Sequence, residues 1–484
     1  MQVLSVTSEF FPLVKTGGLA DVAGALPGAL AAEQVQLRTL LPGYPKVMDG
    51  VKSTQPLVAA ELFGGPAKLL SASAPDGAEL IVIDAPHLYN RPGNPYLGED
   101  GKDWPDNAYR FAALAWIGAE IGKGLLDDWR PDIIHGHDWQ AGLVPVYLAD
   151  AKRRPATVAT IHNLAFQGVF PATLLAALKL PTSSFTIDGL EYWGRISFLK
   201  GGLRYADQLT TVSPTYAREI CSPEAGMGLD GVLRDRRGAL SGITNGIDAG
   251  IWNPADDPNI EKPYSSRSLS DKATNKTALQ KRFNLDIDDA GPLFCVVSRL
   301  TAQKGFDLLL EALPTILDNG GQLAMLGSGD AALEEAFKAV ARENPGRIGL
   351  VIGYDEPLSH QLQAGADAIL IPSRFEPCGL TQLYGLRYGT LPIVARVGGL
   401  ADTVIDANQA ALADGVATGF QFAGDSIAEL RIALERAFAL YADQHRWQQV
   451  QRRAMGRKVD WSAPAKAYAE LYRQLTPGLS EAPA

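Results

Sequence analysis

Cysteine is scarce in this chain. Its 484 residues include three, Cys221, Cys295 and Cys378, with no Cys-x-x-Cys spacing. That excludes a disulfide framework and fits a reducing compartment. An excess of positive charge is also missing. The net charge of −10 argues against a broad nucleic-acid surface, which needs clustered Lys and Arg. A small anionic ligand needs only a few local cations and is not excluded. Long apolar runs are absent too. The nearest, Phe111 to Leu126, is interrupted by Glu120 and Lys123 and falls short of the ~18 residues of a membrane span. Gln2-Val-Leu-Ser-Val6 reads as a strand at the very start of the chain, without the basic and apolar regions of a secretory signal. The expectation is a soluble cytoplasmic protein with neither a nucleic-acid nor a membrane partner.

What is present is a globular composition, 46% hydrophobic and 20% charged. The length implies two or three domains. In the first half, short apolar runs recur at Val3–Val6, Leu80–Ile83, Asp132–His135, Thr157–Ile161 and Leu209–Val212, separated by amphipathic stretches. That is the pattern of a doubly wound parallel sheet. In such a sheet the strand carboxyl ends gather ligand-binding residues along one edge.

Polar motifs follow several of these runs. Lys15-Thr-Gly-Gly-Leu-Ala-Asp21 sets a cation beside Gly17 and Gly18, ahead of a helix-like Leu19–Leu30. Glycines allow backbone N–H groups close to a phosphate; a glycine hinge with an exposed lysine is the bland alternative. A Walker loop is excluded by spacing. His135 and His137 alternate on one strand and share a face, with Asp138 and Trp139 following, and His162-Asn163 closes the next run. These histidines suit hydrogen bonding to a polar ligand or a satisfied core site; a third metal ligand is not evident, so no metal is assigned. The long irregular stretch Asp84–Asn107 carries Tyr96 and Trp104, which either stack on a sugar or anchor the loop. Another excursion spans Phe166–Gly202.

Gly238–Lys272 is rich in Gly, Asn, Pro, Ser and Asp and includes the turn signals Thr244-Asn-Gly-Ile-Asp248 and Asn253-Pro254. It reads as an interdomain linker, which predicts a domain over 1–240, a linker over 241–272 and a second domain over 273–460. Strand-like runs restart at Leu293–Val297, Gln322–Leu326, Leu350–Ile352, Ala368–Ile371 and Pro392–Ala395. Arg299 and Lys304 follow the first of these and suit a diphosphate; a solvated basic face is the alternative. Leu326-Gly-Ser-Gly-Asp330 lacks the third glycine of a dinucleotide fingerprint. Tyr354 is placed to stack on a nucleobase. Ser373-Arg-Phe-Glu-Pro-Cys-Gly-Leu-Thr381 sets Glu376 between a strand end and a helix start, with backbone N–H groups near Gly379. Ala467, Tyr468, Leu471, Tyr472 and Leu475 recur at helical spacing in a final helix over 461–484.

Lys15-Thr-Gly-Gly-Leu, His137-Asp-Trp-Gln, Ile161-His-Asn, Thr244-Asn-Gly-Ile-Asp, Arg299-Leu-Thr-Ala-Gln-Lys-Gly and Pro372-Ser-Arg-Phe-Glu-Pro-Cys-Gly-Leu stand in the order found in bacterial glycogen synthases and plant starch synthases. The chain resembles that family over essentially its whole length, and its bacterial branch in particular. The resemblance implies an α/β fold of two Rossmann-like domains facing each other across a cleft, of the GT-B type. It implies transfer of glucose from ADP-glucose to the non-reducing end of an α-1,4-glucan, with retention, in glycogen biosynthesis and without a cofactor. Position by position it implies that Lys15, Gly17, Gly18, Arg299 and Lys304 hold the diphosphate, assisted by backbone at Leu380 and Thr381. Tyr354 would stack on adenine. His162, Glu376, Cys378 and Gly379 would hold the glucose, and Asn245 would lie near it. Asp138, Asn163 and Tyr96 would stand on the acceptor side. The final helix would cross back to the first domain, and two such domains imply hinge closure.

Two departures stand out. Eight positions after Glu376 the chain has Tyr384, where many retaining transferases carry a second glutamate, so no second carboxylate is assigned there. Ala32-Glu33-Gln34 replaces a usual glycine-histidine, with only a small effect on stability expected. Sucrose- or trehalose-forming transferases resemble the second domain but not the Lys15-Thr-Gly-Gly-Leu loop. A glucan phosphorylase needs a lysine-bound pyridoxal phosphate and usually a longer chain. A non-catalytic glucan-binding protein has no need of Arg299, Lys304 and Lys15 together.

Overall fold

The computed structural model describes residues 1–287 and 291–477. Residues 288–290 of the expected second domain and 478–484 of the expected final segment lie outside them. The chain forms two compact units, one of Met1–Asn245 joined by the segment from Trp461 onward, the other of Gly246–Asp460.

The first unit contains β1 (Gln2–Val6), β2 (Gln36–Pro42), β3 (Lys52–Glu61), β4 (Pro66–Ser73), β5 (Glu79–Asp84), β6 (Ile133–His137), β7 (Ala156–Ile161), β8 (Val169–Pro171), β9 (Glu191–Tyr192), β10 (Arg195–Ser197), β11 (Gln208–Thr211) and β12 (Leu240–Gly242). Nine of these form one sheet in the order β12-β11-β7-β6-β1-β2-β5-β4-β3. Val3, Leu4 and Val6 are fully buried because helices cover both faces, so the strand reads as a run rather than an alternation. The strand order reverses at β1. The chain leaves it toward β2 and β5, then returns to its other side as β6. The carboxyl ends of β1 and β6 therefore flank the crevice where such sheets bind ligands.

The sheet is not parallel throughout, as the sequence pattern predicts. β3 and β4 pair antiparallel with each other and β4 with β5. β3 is almost wholly exposed, and a solvated edge hairpin leaves no apolar run to detect. β8, β9 and β10 make a small separate antiparallel sheet.

The helix Gly18–Ala31 buries Leu19, Val22, Ala23, Leu26 and Leu30, the spacing of one apolar face. Against it packs the helix Ser462–Leu475, through Trp461, Tyr468, Leu471 and Tyr472. The Tyr472 hydroxyl lies 2.7 Å from His135 Nδ1. The end of the chain thus completes the core of its first unit.

The expected linker over 241–272 is largely built into the second unit. Trp252, Ile260, Tyr264 and Leu269 are buried in that unit's core. Gly, Asn and Pro there report turns, which a packed segment needs as much as a solvated one. The unit contains β13 (Leu293–Val297), β14 (Gln322–Gly327), β15 (Ile348–Ile352), β16 (Ala368–Ile371), β17 (Leu391–Ala395) and β18 (Phe420–Phe422). All pair in parallel, in the order β15-β14-β13-β16-β17-β18. The reversal falls between β13 and β16, as in a dinucleotide-binding sheet. The Gly327-Ser-Gly329 turn is a close approach. A Cβ on Gly327 would sit 2.1 Å from the Ser298 carbonyl oxygen, and one on Gly329 2.3 Å from that of Leu300.

Gln34, in the departure noted above, closes the first helix at φ +61. An exposed L residue in that region is less stable there than glycine. Gln34→Gly is expected to raise the unfolding free energy by about 0.5–1 kcal/mol, read as a higher urea midpoint. An unchanged or lower midpoint would contradict this account of the turn.

Candidate active site

In the first unit the loop after β1 is folded around a residue that the motifs do not name. Glu9, 3% exposed, accepts hydrogen bonds from Thr16 N at 2.5 Å, Thr16 Oγ1 at 2.6 Å and Gly17 N at 3.3 Å. The Tyr96 hydroxyl donates to the same carboxylate at 2.5 Å and lies 2.8 Å from Ser8 Oγ. Tyr96 is thus an anchor of the irregular 84–107 stretch on the glycine loop, one of the two roles expected of it. Trp104 is an anchor as well, with Nε1 donating to the Asn94 carbonyl and the Arg91 guanidinium over its ring. Lys15 is held at the rim by Asp21, 2.8 Å away, and lies over Phe11. Gly17 precedes the helix that starts at Gly18, and open space surrounds the position of its missing Cβ. The free N–H groups of the first helical turn lie beside it.

The ends of β6 and β7 carry the next groups. Asp138 adopts φ +55, a backbone state that non-glycine residues hold only where the surroundings impose it. Its Oδ1 accepts from His162 N at 2.7 Å and Asn163 N at 3.3 Å, which ties the two strand ends together. Asn163 Oδ1 accepts from Ala165 N. Behind them runs a buried polar chain. His162 Nε2 lies 3.0 Å from His137 Nδ1, and His137 Nε2 3.1 Å from Ser5 Oγ. His135 reaches Thr160 Oγ1 and Tyr472. Every ring nitrogen of His135 and His137 thus has a protein partner, which is the satisfied-core reading of the pair. Asn245, last residue of this unit's first segment, has a buried Oδ1 with no hydrogen-bond partner among the described residues.

Burial keeps all three imidazoles neutral. It depresses His135 and His162 well below the usual value, with neighbouring imidazoles adding to the effect, and takes His137 down to about 3. Loss of solvent pushes the Asp138 carboxyl up to about 7, against the pull of its two backbone donors.

In the second unit the loops after β13 and β16 are joined. Arg374 N donates to the Gln303 carbonyl at 2.9 Å, and Gln303 Nε2 to the Phe375 carbonyl. Gly305, at φ +68, has no room for a Cβ beside the Pro372 carbonyl. This junction brings Lys304 onto Glu376 in a direct ion pair, and Ser373 Oγ donates to the same Oε2 at 3.0 Å. Glu376 is 7% exposed and Ser373 fully buried. The Arg299 guanidinium is exposed and makes no ion pair or hydrogen bond among the described residues. The neighbouring Arg374 is fully engaged by Asp307 and Asp425.

Cys378 is buried, and Gly379 sits at φ +73 ahead of the helix Thr381–Tyr388, whose flanking residue is Leu380. Gln382 Nε2 fastens the Cys378 and Gly379 carbonyls. The loop after β17 closes on the same segment, with Gly399 N 3.1 Å from the Glu376 carbonyl and no space for a Cβ at Gly398. Tyr354 follows β15, 75% exposed, its hydroxyl bonded to Glu356. Sequence reasoning missed Glu9, Ser373, Gln382 and Gly398-Gly399. Only the last pair carried a signal, adjacent glycines in the loop after a strand.

Two predictions follow from this geometry. Glu9→Ala leaves Thr16 N, Gly17 N and the Tyr96 hydroxyl without their acceptor, and is expected to cost about 2–4 kcal/mol in urea unfolding. A cost below that of Tyr96→Phe would contradict the central place of Glu9. For pH, each neutral imidazole takes up a proton on unfolding below its ordinary 6.5, so stability falls as pH drops, by about 1.4 kcal/mol per unit per group. Asp138 acts in the opposite sense between its ordinary 3.8 and about 7, but one carboxyl is outweighed by three imidazoles. The urea midpoint is expected to drop between pH 6.5 and pH 5, and less steeply in His137→Asn. Equal slopes would contradict a buried neutral His137.

Residues 2–235 match the family model of the starch synthase catalytic domain, and residues 278–453 that of the group 1 glycosyl transferases. The chain is 59% identical over 477 residues to a glycogen synthase of Rhodopseudomonas palustris, covering 98% of this chain and 99% of that one. It is 56% identical to glycogen synthase 2 of Bradyrhizobium diazoefficiens, over 98% of each chain. Among solved structures, the catalytic domain of starch synthase IV from Arabidopsis thaliana, bound to ADP and acarbose, superposes with a TM-score of 0.89. It is 31% identical and covers 98% of this chain and 99% of that one. Sucrose-phosphate synthase from Thermosynechococcus elongatus, 19% identical with a TM-score of 0.60 and 99% of each chain covered, shares the fold alone. The chain belongs to the glycogen synthase family and is a glycosyltransferase of the two-domain GT-B fold.

Proposed function

We propose that the enzyme transfers glucose from ADP-glucose to the non-reducing end of an α-1,4-glucan with retention of configuration. The observation that carries this reading is the cation set at the strand-order reversal of the second unit. Arg299 is exposed and unpaired among the described residues, beside the Lys304–Glu376 pair. A departing ADP develops its charge on the diphosphate. Arg299 offers a planar fork to two phosphate oxygens, and Lys304 adds a second positive charge that Glu376 and Ser373 keep in place. The first-turn N–H groups at Leu380 and Thr381 act on the same anion. Lys15 and the Gly17-Gly18 turn, preset by Glu9, give the first unit an anion-binding edge of its own. No metal is required for this charge balance.

Glu376, with the backbone at Cys378 and Gly379, holds the glucosyl hydroxyls, and Tyr354 stacks on adenine. Asn245 Oδ1 is a buried acceptor awaiting a donor, which suits a sugar hydroxyl. Neutral His162 hydrogen-bonds the sugar without opposing the positive charge that develops at its anomeric carbon, and its orientation is fixed through His137. Asp138 and Asn163 receive the acceptor. We favour front-face transfer, in which the acceptor hydroxyl enters on the side from which the phosphate departs. A covalent route needs a carboxylate beneath that carbon. Glu376 is committed to Lys304, and trapping a glucosyl adduct on any carboxylate would overturn the front-face route.

Labelled glucose incorporation into glycogen, from ADP-glucose and separately from UDP-glucose, tests the reading. Arg299→Ala is expected to lower kcat/KM for ADP-glucose by about 10²–10³-fold, and Glu376→Ala to abolish incorporation. Glycogen binding without incorporation from either donor would indicate a non-catalytic glucan-binding protein instead.

A further inference from the structure

The first unit carries an aromatic side chain that neither the core nor the proposed reaction uses. Trp193 is 85% exposed at the tip of the β9–β10 hairpin. Tyr192 pairs with Arg195, so the turn is the two residues Trp193 and Gly194, at φ +51 and φ +74. Positive φ at both positions is the mirror-image turn that favours Asn, Asp or Gly. A bulky indole in the left-handed region is an outlier. Here it buries almost nothing in return, and strain retained at an exposed position points to a use.

The surroundings say what that use is. Ile187, 78% exposed, and Phe166, 53% exposed, lie on segments bonded to this hairpin or to the lysine that holds it. The buried Lys200 ammonium fixes Ile187 to the hairpin by donating to the carbonyls of Ile187 and Glu191. Gln167 Nε2 and the Tyr192 hydroxyl converge on the Met227 carbonyl, at 3.0 and 3.2 Å, which sets Phe166 beside the same base. Phe166 N in turn donates to the Asn163 carbonyl at 3.2 Å. A connected path therefore runs from Asn163 through Phe166 to Trp193. Charged groups neighbour the turn: the Glu191 carboxylate accepts from Gly194 N at 2.6 Å, and the exposed Arg195 follows it in the chain. A flat aromatic face with a carboxylate and a guanidinium beside it in the chain matches a hexose, whose C–H face is apolar and whose rim is hydroxyl. A protein–protein patch is depleted of charge at its centre.

We propose that Trp193, with Ile187 and Phe166, is a second contact for the α-1,4-glucan acceptor, holding glucosyl units remote from the reacting end. This rests on the proposed reaction and specifies how its polymeric substrate is retained. A second contact makes binding of the first intramolecular for a long chain and does nothing for one too short to span both.

The test compares Trp193→Asn with Trp193→Phe and the parent, by initial rates on glycogen and on maltotriose and by retardation in gels containing glycogen. Asn suits the turn, so its variant is expected to melt about 1–2 °C higher while its KM for glycogen rises roughly three- to tenfold and its retardation falls. Trp193→Phe is expected to retain most of the affinity. Unchanged glycogen KM and retardation in Trp193→Asn would overturn the contact. An equal loss on maltotriose would put Trp193 in the reacting site and overturn its remote position. Concentration-dependent sedimentation lost in Trp193→Asn would assign the indole to a second copy of the chain instead. Retardation reads the contact without turnover. Parent enzyme that is retarded through Trp193 yet inactive on both acceptors would therefore refute the proposed reaction and not the contact.

Discussion

A strand that pairs in parallel with its neighbour must leave the sheet at its carboxyl end and cross a whole layer before the chain can return. That constraint organises both units. Loops accumulate at one edge of each sheet, and where the strand order reverses, adjacent loops part in opposite directions and leave a crevice. In the first unit the reversal lies between β1 and β6, and the glycine loop and Asp138 stand on its two sides. In the second it lies between β13 and β16, where Arg299, Lys304 and Glu376 stand. Residues far apart in sequence meet because each closes its own strand.

The two edges solve an electrostatic problem in different ways. The second unit gathers charge: among the described residues the Arg299 guanidinium has no ion-pair partner, Lys304 is paired with Glu376, and Ser373 donates to the same carboxylate. The first unit removes charge. Three histidines lie side by side, and burial leaves them uncharged, linked nitrogen to nitrogen and to hydroxyls. A cationic cluster there would repel itself; a neutral one fixes ring orientation at no such cost. The carboxylate of Glu9 is the exception, and it is spent on shaping a loop.

Strands buried on both faces were legible because burial makes them uniformly apolar: β1, β6, β13 and β16 read directly from the sequence. β3 did not, since a solvated edge strand has no apolar run. The stretch before Lys272 misled because turn residues mark changes of direction whether or not the segment packs, and Trp252 and Tyr264 bury it. Among candidate site residues, Lys15, Asp138, His162, Arg299, Lys304 and Glu376 announced themselves by unusual chemistry at strand ends. Glu9 was hidden because a carboxylate that binds backbone N–H groups is indistinguishable in sequence from a solvated one. The role of Tyr96 stayed open between sugar contact and loop anchor because an aromatic in a loop carries no mark of which way its hydroxyl bonds.

The final helix, Ser462–Leu475, lies on the helix Gly18–Ala31 and sends Tyr472 to His135. During synthesis the first unit therefore waits. The ribosome must deliver the whole of the second unit before the residues that cover Val22, Leu26 and Leu30 emerge, at about 5–20 residues per second. For that interval an apolar helix face and one hydrogen-bonding position of a buried imidazole remain uncovered. The second unit, contiguous from Gly246 to Asp460, has no such wait. The unit made first is the one finished last, and a nascent chain of this enzyme is most open to misassociation on its oldest residues.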